Sequence, residues 1–496
     1  MITDRSIAIT HIHDGLYDTW NWSRDLQDDR ELMLIAVRKN GTSLENCSQR
    51  LKEDKEVVWA AITQSSLALT YASRGFRNDP EYVTYAASRN GQMLQVASRL
   101  LRGDKDVVGS AVRNDGRALQ YASAELRADA DIVKEAVIQN GTALEFACED
   151  LQDDQDIVLG AVHQSGDALR FASRRLKKDR EVVLTAVTQN GVALNFADRK
   201  FFADREVVLT AVRSGKGLLS SCPPELRDDR DIVLAAVTYD GDALASASER
   251  LQVDPEIVGV AVKTSGYALR FAGHLRASRD IVLAAVQSNG RALKYAEPEL
   301  QEDINIATAA VTQNGASLMY AGKSLRSNRD LVLLAVRSAG TALSSASDDL
   351  KADREIVMVA CTQNGNALKF ASQNLREDRE IVTTAITQIG TALQFAPSRL
   401  RGDKELAAIA VQSAGIALAY TSSVLKEDRD IVMKAVTSDG AALEFASAKL
   451  RTNPDICIAA MKSNKDAKEF IEPAILKDVL EALSINSLMS TIVRQV

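Results

Sequence analysis

One pattern fills nearly the whole chain. At Asp179 it reads Asp-Arg-Glu-Val-Val-Leu-Thr-Ala-Val-Thr-Gln-Asn-Gly-Val-Ala-Leu-Asn-Phe-Ala, and equivalents of Asp179 recur every 25 residues from Asp29 to Asn453, with one step of 24 between Asp254 and Ser278. A fixed period of this size is the mark of a solenoid, in which each copy buries its apolar face only against its neighbours. At 496 residues, length alone would suggest about three globular domains. The repeat overrides that expectation, because a stack has no single core to outgrow.

With the anchor as position 0, each copy reads as two helices. The anchor is Asp in 15 of 18 copies, Asn in two and Ser in one, all N-capping residues. Position 1 is often Arg or Lys and is Pro at Pro80, Pro255 and Pro454, where a missing N–H is tolerated. Apolar residues at positions 3, 4, 7 and 8 make one helical stripe. Gly at position 12, in 15 of 18 copies (Gly191 and Gly365 among them), predicts a left-handed stop for a first helix of ten to eleven residues. A second helix is predicted to follow directly, with Ala at 14, Leu at 15, an aromatic at 17 and a small residue at 18 facing inward, and Leu at 22 packing in the link. No proline falls inside either helix. Position 7 is Ala in every copy, including Ala186 and Ala236, which predicts a crowded helix crossing.

Leucine-rich repeats have a similar period but need an alternation that is absent, and ankyrin and tetratricopeptide periods are longer. The expected fold is an all-α solenoid of 18 two-helix repeats over 29–477, with degenerate caps at 1–28 and 478–496. In the first cap, Asp4 and Leu26 keep the pattern, while His11 replaces the packing Ala and Trp20 and Trp22 replace smaller residues. In the last, Asp478 lies 25 after Asn453 and Ile485 replaces Ala. An elongated monomer is expected. A bend is predicted at 204–278, where Lys216 replaces Gly, Ser221 and Ser246 replace aromatics, and Pro223-Pro224 precedes the short step near His274.

The run from Asp353 to Ser372, Asp-Arg-Glu-Ile-Val-x-x-Ala-x-Thr-Gln-Asn-Gly-x-Ala-Leu-x-Phe-Ala-Ser, resembles the repeat family known as domain of unknown function 4116. The resemblance covers about residues 29–460. It implies no reaction, cofactor or catalytic residue. Members occur in protists and in bacteria that live within host cells, so for a bacterial member it implies delivery to a host without a conventional signal peptide.

Chemistry-bearing residues are sparse. Five cysteines occupy four different repeat positions with no metal spacing, which predicts free thiols in a reducing compartment. The first residues lack a basic segment followed by an apolar run, and no stretch approaches a membrane span, so a cytoplasmic location is expected. Of four histidines, His11 and His13 diverge on a helix and belong to the cap, and His163 and His274 are read as surface residues. Ser214-Gly215-Lys216-Gly217 lacks the earlier glycine and following Ser/Thr of a phosphate loop. Neither an enzyme nor a cofactor or metal site is expected. The Gln-Asn-Gly turns, such as Gln189-Asn190-Gly191, are read as helix terminators whose amides bond nearby backbone.

Binding should then reside where copies differ. Positions 13, 16 and 20 are predicted to share one side of the second helix. Position 16 is acidic only toward the ends of the chain and basic only in the middle, at Arg170, Arg270, Lys294 and Lys369, with Arg174 and Arg199 nearby. The expected function is a scaffold that holds a partner protein, with an acidic surface, on this side. The alternative is nucleic acid or anionic lipid headgroups through the same bases. The net charge of −7 and a lack of exposed aromatics between the bases count against that alternative.

Overall fold

The computed structural model describes residues 2–16 and 19–493, with side chains described to residue 483. It is an all-α solenoid whose elements are helical throughout, apart from one isolated bridge between Ile2 and Trp22. The chain divides into two compact units, Met1–Tyr239 with Ser246–Ser248 and Asp240–Ala245 with Glu249–Val496, and this division falls within the irregular 204–278 stretch.

Both units are built from one repeat. In the Asp179 copy, the Asp179 side chain accepts hydrogen bonds from Glu181 N and Val182 N and starts a ten-residue helix, Arg180–Gln189. Val182, Val183, Ala186 and Val187 are buried, as the apolar stripe requires. Ala186 is wholly buried and Ala236 is 5% exposed, so position 7 is a closed site, while Thr188 at position 9 faces solvent.

The second half of the repeat differs from expectation. It is a six-residue 3-10 helix, Gly191–Phe196, and not a second α-helix. The break between the two is an extended residue, Asn190 at φ −148 and ψ 110, whose Oδ1 accepts from Val192 N. Gly191 has no left-handed conformation; among the described residues only Gly15, Gly217 and Gly273 do. Glycine is required for another reason: a Cβ on Gly191 would run into the carbonyl oxygen of Ala211, position 7 of the next repeat, and one on Gly365 into that of Ala385. The crowded crossing is real, and both its partners recur at fixed positions.

Three further features correct the sequence reading. The aromatic at position 17, such as Phe171 or Phe370, is half-buried and not core. The link carries its own helical turn, Leu176–Lys178 in one repeat and Pro298–Gln301 in another, and Pro224 and Pro298 open such turns at the position where proline is preferred. Position 20 therefore lies outside the 3-10 helix that carries positions 13 and 16. At the C-terminal end one helix, Pro473–Val493, passes straight through Asp478, so Asp478 caps nothing and the terminal helix starts five residues before the predicted boundary. The Ile485 side chain lies outside the described residues. At the N-terminal end Asp4 caps Arg5–His13, Trp22 is buried and Trp20 is 72% exposed.

Two ladders run between copies. The position-10 amide or hydroxyl of one repeat accepts from the position-12 N–H of the preceding one, as Gln164 does from Gly141 (2.6 Å), Gln388 from Gly365 (2.8 Å) and Ser214 from Gly191 (3.0 Å). In the Gln-Asn-Gly turns Gln139, Gln313 and Gln363 likewise accept from Gly116, Gly290 and Gly340 N of the preceding copy, and Asn140, Asn190, Asn314 and Asn364 accept from the N–H two residues on in their own. The second ladder is ionic. The base at position 1 pairs with the acids at positions 0 and 2 of the next copy: Arg30 with Asp54 (2.8 Å) and Glu56 (2.7 Å), Lys105 with Asp129 (2.8 Å), and Lys404 with Asp428 (2.6 Å). Hydrogen bonds from Arg30, Lys105, Arg379 and Lys404, foremost, hold Asp54, Asp129, Asp403 and Asp428 respectively below the ordinary carboxylate range. A depressed folded-state pKa gives stability that is complete above the unfolded value of about 3.9 and is lost as pH falls through the folded value. The melting temperature should therefore drop on acidification below about pH 4. The drop should be shallower when Arg30, Lys105, Arg379 and Lys404 are all changed to Gln. Parallel pH profiles for the two proteins would mean that the ladder does not link folding to protons.

Candidate binding face

The exposed side of the 3-10 helices is built from two positions. Position 16 points to solvent, and position 17 lays a half-buried ring beside it. Where position 16 is basic, the cation lies on the ring. The Arg170 guanidinium is 5.1 Å from the Phe171 centroid and 5.6 Å from that of Phe196 in the next copy. Arg270 lies 4.4 Å from Phe271, Lys294 5.6 Å from Tyr295 and Lys369 5.8 Å from Phe370. Cation–π contact of this kind fixes the long side chain without neutralising it. The bases are thus interleaved with partly exposed aromatics, contrary to the sequence expectation.

The six predicted residues do not form one set. Arg170, Arg174 and Arg199 belong to the first compact unit, where all three are exposed, and Lys177 Nζ donates to the Arg170 carbonyl (2.6 Å) beside them. Arg270, Lys294 and Lys369 belong to the second. There Arg270 has Asp242 at 3.7 Å, and Met319 and Ser344 occupy position 16 between Lys294 and Lys369. The densest basic cluster is the one around Arg170.

Sequence reading missed the base or amide at position 23. Gln152 and Gln301 donate to the carbonyls of Ala147 (3.1 Å) and Ala296 (3.0 Å), and Lys177 does the same work at Arg170. It also missed a clamp in the links, in which Asp28 accepts from Ser48 and Arg50, and Asp153 from Ser173 and Arg175. The recurrence of Arg, Lys or Gln at 23, and of Asp at 24 followed by Ser and Arg at 19 and 21 of the next copy, is the signal that would have found both.

Other candidate chemistry is occupied or silent. All five cysteines are free; burial pushes the Cys47 and Cys361 thiols up to about 12 and those of Cys222 and Cys457 to about 11, so these four are poor nucleophiles. Ser214 is bonded to Gly191 N, and the turn after it closes on the left-handed Gly217. Among the described residues no group of three or more His, Cys, Asp or Glu is placed to hold a metal, and no helix is long and apolar enough to cross a membrane.

The model of the family described as "Domain of unknown function (DUF4116)" matches residues 29–77, 54–102, 79–127, 104–152, 154–202, 204–252, 229–276, 254–301, 278–326, 303–351, 328–376, 378–426 and 428–476. Each match spans two consecutive repeats. No curated protein matches the sequence.

Proposed function

The chain belongs to the family described as domain of unknown function 4116, and we propose that it acts as a non-enzymatic scaffold that holds a partner protein on the position-16 and position-17 side of its repeats. One observation carries the reading: in each compact unit half-buried rings bear exposed cations, Arg170 in the first and Lys294 and Lys369 in the second. Protein interfaces favour aromatic and Arg side chains whose conformations are already restricted, because less entropy is lost on binding. The regularly spaced carboxylates have another use, as helix caps and ladder partners. That use explains their recurrence without acid–base chemistry. The alternative, an anionic polymer or lipid headgroup, draws on the same bases and on the rings beside them.

The test is capture of a partner from lysate of the source cell, identified by mass spectrometry and then measured with purified components. Arg170→Glu, Arg270→Glu, Lys294→Glu and Lys369→Glu together should abolish binding and leave helicity and melting unchanged, since all four side chains are exposed. A partner held here should also bind more weakly at physiological than at low salt, as exposed charge pairs are screened. Undiminished binding by the four-site variant would move the site to the α-helical side. Nuclease-sensitive capture would favour nucleic acid over protein.

A further inference from the structure

We propose, resting on the scaffold reading, that the stretch from Arg170 to Lys200 in the first compact unit is a docking site for an acidic peptide segment, whose carboxylates are taken by Arg170, Arg174, Lys177 and Arg199. The argument begins with Arg170. Its guanidinium lies over Phe171 and Phe196, from two successive repeats. A cation–π contact uses none of the guanidinium N–H donors as hydrogen bonds, so they can meet a carboxylate in a two-pronged bond. Lys177 ties the link to the same place through the Arg170 carbonyl and keeps two further donors. Burial, and then the positive charge of Arg174, pull Lys177 below its ordinary pKa, which an arriving carboxylate would relieve.

Five acids of this region are already engaged. Asp153 accepts from Ser173 and Arg175, Asp167 from Asn190 (3.0 Å), and Asp198 from Lys200 N (3.1 Å) while lying 3.9 Å from Lys178. Asp179 caps its helix and Glu181 accepts from Gln155 (3.2 Å). Among the described residues, none of Arg170, Arg174, Lys177 and Arg199 has a carboxylate at ion-pair distance, on a chain whose net charge is −7. The local charge is therefore left for something outside the chain. A peptide suits it better than a nucleic acid, because base stacking needs free ring faces and Arg170 lies on both rings.

The probe is a fluorescein-labelled hexaglutamate peptide titrated with the full chain, read by anisotropy at low and at physiological salt. Arg170→Glu, Arg174→Glu and Lys177→Gln together should weaken binding roughly tenfold or more, since two charges are reversed and one removed. Gln at 177 keeps the fold, because Gln152 and Gln301 fill that repeat position and bond the same kind of carbonyl. Arg170→Lys keeps the charge but loses the fork, and should cost several-fold in affinity. A control carrying Arg270→Glu, Lys294→Glu and Lys369→Glu should stay within about twofold of the parent if the site is local. Parent-like binding by the first triple variant, or an equal loss in the control, would overturn the site. So would a thymidine oligonucleotide of equal charge that binds more tightly than the peptide. The captured partner separates this result from the scaffold reading: partner loss in the four-site variant, with peptide binding unaffected by the first triple, removes this site alone. Peptide binding lost in the first triple, with the partner still held by the four-site variant, removes the position-16 and position-17 side as the partner's site instead.

Discussion

Gly365→Ala should lower stability by about 2–3 kcal/mol, the upper part of the overpacking range. The added methyl would meet the carbonyl oxygen of Ala385 and crowd the Ala385 carbonyl carbon at 3.1 Å and the Ile389 Cβ at 3.2 Å. These are backbone and Cβ atoms, so no rotamer change relieves the clash. The alanine itself is unstrained, because φ at Gly365 lies outside the left-handed region. Gly365 N also donates to Gln388 (2.8 Å), and parting the two repeats would break that rung. The same reasoning applies to Gly191 against Ala211. The exceptions in the chain show what tolerance demands: Ser66 is half-buried where the glycines are buried, and in the Lys216 repeat the helix stops early, at Val212. Gly160→Ala is the control. It lies within the helix Gln155–Gln164 with nothing within 4 Å of an added Cβ, so it should gain about 0.5–1 kcal/mol. Chemical denaturation of both variants decides the matter. Equal midpoints for Gly365→Ala and the parent would mean that the repeats are not in backbone contact at position 12.

Ala186→Leu and Ala236→Leu should destabilise by roughly 1–3 kcal/mol each, and Thr188→Leu by little. Ala186 has no exposed surface and Ala236 only 5%. Each sits between neighbouring helices whose Val and Ile side chains are also closed off, so the extra carbons of Leu have nowhere to go. Thr188 is exposed, and its hydroxyl only bonds the Leu184 carbonyl of its own helix (2.8 Å). In a stack each copy is supported only by its neighbours, so the loss should spread to adjacent repeats before distant ones. Hydrogen exchange would show this as lost protection centred on the Asp179 or Asp229 copy. Comparable midpoints for the alanine and threonine variants would mean that the buried face has been misidentified.

The candidate face was partly legible. Position 16 could be singled out because its residues vary while positions 7 and 15 do not, and Arg170, Arg270, Lys294 and Lys369 are indeed exposed. Periodicity could not show that each lies on the following ring, nor that Arg270 has Asp242 beside it. The first depends on side-chain conformation within a copy, and the second on how far one copy is displaced from the next. The position-23 donors were missed because their carbonyl partners lie five to seven residues back, beyond one helical turn, and the Asp-Ser-Arg clamps because their partners lie in the neighbouring copy.

What the sequence determined by itself was set within one copy: the repeat, the Asp cap, the ten-residue helix and the stripe at positions 3, 4, 7 and 8. These follow from local rules of capping and periodicity, which act over one to three turns. Only the tertiary structure decided that the second segment is a 3-10 helix and that position 12 is glycine for lack of room. A Gly before an Ala-x-Leu pattern is equally compatible with a left-handed stop and an α-helix. The choice was made by the next copy, whose Ala carbonyl sits where a Cβ would be and whose position-10 side chain takes the glycine N–H. The ladder contacts between copies are 23 to 26 residues apart in sequence, beyond the reach of helical periodicity, and they appear only when the repeats are stacked.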